Sequence, residues 1–117
     1  MRPFVIAVIG ALAGAGPALA HAMLERADPP VGGSIASAPR GLTLTFSEKV
    51  EPAFSSVRVE NEGGARVDAG RPQLGSGRNV LRVTLKPLAA GAYRVHWRVL
   101  SADAHVTEGS YSFRVGR

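Results

Sequence analysis

Three imidazole side chains, His21, His96 and His105, occur in a chain of 117 residues that has no cysteine. Thiolate metal sites and cysteine nucleophiles are therefore excluded, and metal chemistry would have to use nitrogen and oxygen donors. His21 stands out through what precedes it. Met1-Arg2 is a short positive start, residues 4–15 are an apolar run, Pro17 breaks that run, and Ala18-Leu19-Ala20 is a small-x-small cleavage site. Together these read as a secretory signal peptide over residues 1–20. The run is too short and too rich in glycine for a spanning helix, which needs about 20 apolar residues. Cleavage after Ala20 would leave a single mature domain, 21–117, that begins at His21. A histidine at a free N-terminus offers its α-amine and its imidazole Nδ1 together, and the two close a chelate ring around one metal ion. Cu(II) takes N and O donors in a tetragonal plane and outcompetes other first-row divalent ions at most such sites.

Asp103-Ala104-His105 is the second element with ligand chemistry. In extended backbone, residues i and i+2 project to the same side, so a carboxylate and an imidazole would face a common point. The alternative is an ordinary loop in which Asp103 caps a turn after Ser101 and His105 is exposed. Glu48 is a third candidate, at the end of the apolar alternation Leu42-Thr43-Leu44-Thr45-Phe46, where a solvated strand-end acid is the plainer reading. His96 lies between Arg94 and Arg98, and a cation beside it would meet two like charges; it reads as a surface histidine. Met23 is the lone methionine after the leader. Cu(I) prefers sulfur, so any copper held here is expected to be Cu(II).

The elements that must position these residues are strands. Tyr93, Val95, Trp97 and Val99 alternate with Arg94, His96 and Arg98. Val57-Arg58-Val59, Val80–Leu85 (mixed in its facing) and Ser110–Val115 give further strands. Asp28-Pro29-Pro30, Gly32-Gly33-Ser34, Ala38-Pro39, Gly63-Gly64, Gly75-Ser76-Gly77 and Ala90-Gly91 separate them as turns. No helical stripe interrupts the mature chain. The pattern predicts an all-β domain, either an immunoglobulin-like sandwich or a small Greek-key barrel. Without disulfides, its stability must come from its core.

The formal charge is +5, with arginines scattered singly rather than in runs. No stripe tracks phosphates, which argues against nucleic acid as a partner. Arg58, Arg82, Arg94 and Arg98 are expected on solvent-facing sides of their strands.

These residues resemble a known family. His21-Ala22-Met23-Leu24, Pro29-Pro30-Val31-Gly32, Ala38-Pro39, Leu42-Thr43-Leu44-Thr45-Phe46-Ser47-Glu48, the run from Gly91 to His105, and Gly109–Phe113 are similar to the CopC periplasmic copper-resistance proteins. The resemblance covers essentially the whole mature chain. It implies an immunoglobulin-like Greek-key β-sandwich of about seven strands, a periplasmic location, and one Cu(II) per chain. The ligands it implies are the amine and imidazole of His21, the imidazole of His105 and the carboxylate of Asp103, with Glu48 beside them as a hydrogen-bond partner or weak ligand. It implies a monomeric carrier or buffer in copper homeostasis or resistance, passing copper to a CopD-like inner-membrane protein. Two departures matter: the methionine-rich Cu(I) segment of some members is missing, and Met23 stands where relatives often carry another histidine.

Two other function classes compete. A histidine-brace copper oxygenase would share the N-terminal histidine and a second histidine, and a structural secreted module would make the histidines incidental. The residues offer no nucleophile–base pair and no general acid–base pair beyond the expected ligands, so an enzyme is not expected.

Overall fold

Alternating apolar residues favour strands that each have one face to hide, and two sheets packed together hide most of them. The structure, a computed structural model, describes residues 22–116. Within them lie β1 (Leu24–Asp28), β2 (Ser34–Ile35), β3 (Gly41–Phe46), β4 (Ser56–Asn61), β5 (Asp68–Leu74), β6 (Val80–Leu85), β7 (Gly91–Leu100) and β8 (Val106–Val115), with a short 3-10 turn at Pro52–Phe54. One sheet runs β1-β3-β6-β5 and the other β2-β8-β7-β4. The pairings are antiparallel except β2 with β8. The result is two open sheets and not a closed barrel. The expected seven strands are the longer ones, and the two-residue β2 is an addition.

Leu42, Leu44 and Phe46 of β3 are buried, as their alternation requires. The facing of β6 is cleaner than its sequence suggests: Leu81, Val83 and Leu85 point inward, Arg82 and Thr84 outward. From the opposite sheet come Val57, Val59, Tyr93, Val95, Val99, Tyr111, Phe113 and Val115. Tyr93 stacks on Phe113 at 5.5 Å between ring centres, and Phe46 meets Trp97 edge-on at 5.2 Å across the two sheets. Trp97 is half-buried and lies over its cross-strand partner Gly109, where a Cβ would come within 2.7 Å of the indole.

β1 and β5 were not foreseen. β5 contains Gly70 and Pro72, both poor strand residues, yet it is an edge strand, where a missing N–H costs no ladder bond. β8 begins at Val106, four residues earlier than its clear alternation, because Leu100 and Val106 still pair. Arg58, Arg82, Arg94 and Arg98 are exposed, as expected. No helix of the described residues is long and apolar enough to cross a membrane.

Candidate metal centre

The β7–β8 hairpin turns at residues 101–105, and the turn itself brings the two candidate ligands together. Ser101 N–H donates to His105 O (2.9 Å) and Ala104 N–H donates to Ser101 O (2.9 Å). Ala104 adopts φ +71°, a left-handed conformation unusual for a residue with a Cβ. A tight turn followed by a left-handed residue is the usual form of a three-residue hairpin loop. The extended backbone expected over 103–105 is therefore incorrect. Asp103 and His105 nevertheless converge: His105 Nδ1 and Asp103 Oδ1 are 3.2 Å apart, with both side chains about half exposed. Chain reversal, and not strand periodicity, makes the pair.

Ser101 underlies it. This residue is buried, bridged to Val50, and its Oγ donates a hydrogen bond to Asp103 Oδ1. Its hydroxyl also lies 3.2 Å from His105 O and accepts from His105 N–H at 3.3 Å. The Ser101 hydroxyl, then the His105 imidazole, hold the Asp103 carboxyl below the usual carboxylate range. Asp103 is thus a ready oxygen donor at neutral pH. The capping role considered for Asp103 is real in part, since Ser101 is its partner, and it leaves the carboxylate beside the imidazole.

Two further segments reach this end of the sandwich. Ala102 N–H donates to Lys49 O (2.9 Å), which ties the hairpin to the segment after β3. Glu48 and Asp103 line one shallow depression together with Ser47, Lys49, Arg78 and Asn79. Ala22 is fully buried, and its carbonyl accepts a hydrogen bond from Thr107 Oγ1 at 2.7 Å. Met23 N–H donates to Ser47 Oγ, and Ser47 N–H donates to Met23 O, both at 2.8 Å. The start of the described chain is thereby clamped between the end of β3 and the start of β8. His21 lies outside the described residues, as do the expected signal peptide and its cleavage site. Among the described residues, no three His, Cys, Asp or Glu side chains gather closely enough to hold a metal ion. Asp103 and His105 form a two-donor pair, and Glu48 shares a depression with Asp103 without completing a cluster.

His96 sits apart on β7. It is half-buried, more so than a surface reading suggests, and its Nε2 is enclosed, with Glu60 Oε1 of β4 at 3.6 Å. The flanking arginines are therefore not its whole electrostatic setting. Sequence reasoning missed Ser101, Ser47 and Thr107. The serine two residues before Asp103 was the available signal for the first; the other two act through long-range contacts that no local pattern encodes.

The CopC domain family model matches residues 24–116. "Copper resistance protein C" of Xanthomonas campestris pv. juglandis is 35% identical over 118 residues, covering 95% of this chain and 91% of that protein. "Copper transport protein CutJ" of Bacillus subtilis is 32% identical over 100 residues, covering 84% of this chain, which spans only 18% of CutJ's length. The crystal structure of CopC from Methylosinus trichosporium OB3b superposes with a TM-score of 0.76 at 34% identity, covering 81% of this chain and 93% of that one.

Proposed function

The chain belongs to the CopC family, and from that premise we propose that it binds one Cu(II) ion at the end of the sandwich where Asp103 and His105 meet. The observation that carries this reading is the 3.2 Å approach of the Asp103 carboxylate to the His105 imidazole, beside a clamped Ala22 that directly follows His21. One nitrogen and one oxygen donor from the hairpin, with the amine and imidazole of His21, make the mixed N/O set that Cu(II) favours. Glu48 acts from the neighbouring strand end, as a hydrogen-bond partner or weak ligand.

The ion is cargo. Four protein donors leave little room for a substrate at the metal, which fits a carrier or buffer in copper homeostasis or resistance, and not an enzyme. The leader sequence supports cleavage after Ala20 and residence in the periplasm. That the chain matches one segment of a much longer copper transport protein supports hand-over to a CopD-like membrane partner. The carrier itself is a monomer in this reading.

Processing provides the test. In the precursor, the nitrogen of His21 is a peptide amide; cleavage converts it to an amine and completes the chelate. Two proteins are compared, one starting at His21 and one with a single alanine before it. The extra residue is expected to weaken Cu(II) binding by several powers of ten, each about 1.4 kcal/mol. Equal affinities in competition with a chromophoric chelator would remove the amine from the ligand set and with it the reading.

A further inference from the structure

The outer face of the β1-β3-β6-β5 sheet carries a groove lined by Arg40, Arg71 and Arg82 with Thr43, Gln73 and Thr84. A bulge in β5 shapes it. Ala69 pairs with Thr84 and Gln73 with Arg82, so three residues of β5 span a single residue of β6. Gly70 makes the excursion with φ +87°, which a side chain would resist. Arg71, at the bulge, donates to Ala53 O at 3.4 Å. A second depression continues from the first, sharing Arg40 and Thr84 and adding Lys86.

The charge is one-sided. No aspartate or glutamate lines either depression. Among the described residues, none of Arg40, Arg71, Arg82 and Lys86 makes an ion pair; the ion pairs involve other residues. Asp28 lies opposite Thr43 and so one strand beyond Arg82, and Asp68 of β5, opposite Leu85, gives its carboxylate to Val59 N–H and Arg66 and does not line the groove. The other sheet is different: there Arg58 pairs with Glu60, Arg114 lies 4.0 Å from Glu62, and glutamates line both depressions. Four gathered cations repel one another unless an anion joins them. Guanidinium forks match tetrahedral oxyanions with paired hydrogen bonds, and the threonine hydroxyls add neutral donors.

We propose that this groove is a binding site for phosphate-type oxyanions, whether free or displayed as phospholipid headgroups. It is independent of the copper reading. The groove reaches the Gly41–Thr84 pair at the start of β3, whereas the candidate copper centre lies beyond Phe46 at its end.

The mature protein is titrated with inorganic pyrophosphate by calorimetry, and separately sedimented with vesicles of phosphatidylglycerol and phosphatidylcholine at low salt. Binding in the first arm identifies a free anion, and binding in the second identifies headgroups. The triple variant Arg40→Gln/Arg71→Gln/Arg82→Gln is expected to weaken whichever binding is seen by at least about tenfold, given what each basic residue contributes at an anionic surface. Arg58→Gln/Arg94→Gln/Arg98→Gln removes the same charge from the other sheet and is expected to keep affinity within about threefold, the groove being intact. Arg82→Gln alone gives a milder version of the first, should the triple variant misfold. No binding in either arm, or equal loss in the two triple variants, would overturn the site.

Discussion

Ser101 has one proton to give and three partners within reach. It can donate to Asp103 Oδ1 or to His105 O while it accepts from His105 N–H. Asp103 and His105 are about half exposed, so water takes over part of what the buried Ser101 hydroxyl supplies. Ser101→Ala is expected to cost about 0.5–1.5 kcal/mol, the net contribution of one hydrogen bond, read as a lower urea midpoint with unchanged slope. Three of the candidate residues in the described chain should separate cleanly. Asp103→Ala and His105→Ala are expected to weaken Cu(II) binding by at least about tenfold, the scale of one lost ligand. His96→Ala is expected to leave it unchanged, since its enclosed Nε2 lies beside Glu60 and away from the hairpin turn. Isothermal titration of the three variants checks this. A large loss confined to His96→Ala would move the site to the middle of β7, beside β4.

At the scale of elements, the β7–β8 hairpin carries both the longest pairing among the described residues and a strained residue at its tip. Ten residue pairs, from Gly91–Val115 to Leu100–Val106, hold the two strands in register. That ladder over-determines the turn, which lets Ala104 persist at φ +71° although such a conformation costs a residue with a Cβ about 1 kcal/mol or more. Ala104→Gly removes the steric cost and adds freedom to the unfolded chain, which offsets part of the gain. The net expectation is a stabilisation of up to about 1 kcal/mol, measured by thermal or urea unfolding. Destabilisation would mean that the Ala104 methyl makes contacts worth more than the strain.

Across the whole molecule, the two sheets are joined by apolar packing and, at one edge, by Asp68. This residue of β5 accepts a hydrogen bond from Val59 N–H of β4 at 2.9 Å, in the opposite sheet, and forms a two-pronged pair with Arg66. Its side chain is 5% exposed. Burial pushes the carboxyl upward, but the Arg66 and Val59 hydrogen bonds together outweigh it, and the Asp68 carboxyl lies below the usual range. A depressed carboxyl stabilises the fold fully above its unfolded value, about 3.9, and the contribution disappears as pH falls through the lower folded value. Asp68→Asn is therefore expected to lose about 1–3 kcal/mol at neutral pH, as for hydrogen bonds to a charged group. The variant should also lose less further stability than the parent on acidification below about pH 4, because the titrating group is gone. Urea midpoints at neutral and acid pH for both proteins measure this; parallel curves would mean that Asp68 is not the source of acid sensitivity.

The arrangement of strands was largely legible because burial has a period. Leu42, Leu44 and Phe46, and Tyr93, Val95 and Val99, could be read as inward-facing from alternation alone, since a pleated strand admits no other way to hide them. Turn residues marked most boundaries for the same local reason. β5 escaped that reading because an edge strand tolerates Gly70 and Pro72, and edge position is a property of the assembled sheet. At the candidate site, the residue types at positions 48, 103 and 105 announced their chemistry. Their geometry came from elsewhere: the left-handed Ala104 and the buried Ser101 aim Asp103 at His105, and Thr107 and Ser47, distant in sequence, clamp the segment that follows His21. The basic groove was invisible for the same reason. Arg40, Arg71 and Arg82 are scattered singly along the chain, and only the pairing of β3, β6 and β5 gathers them on one face. Local sequence sets what each residue can do and which way a strand faces; proximity between distant residues arises when the sheets pair and pack.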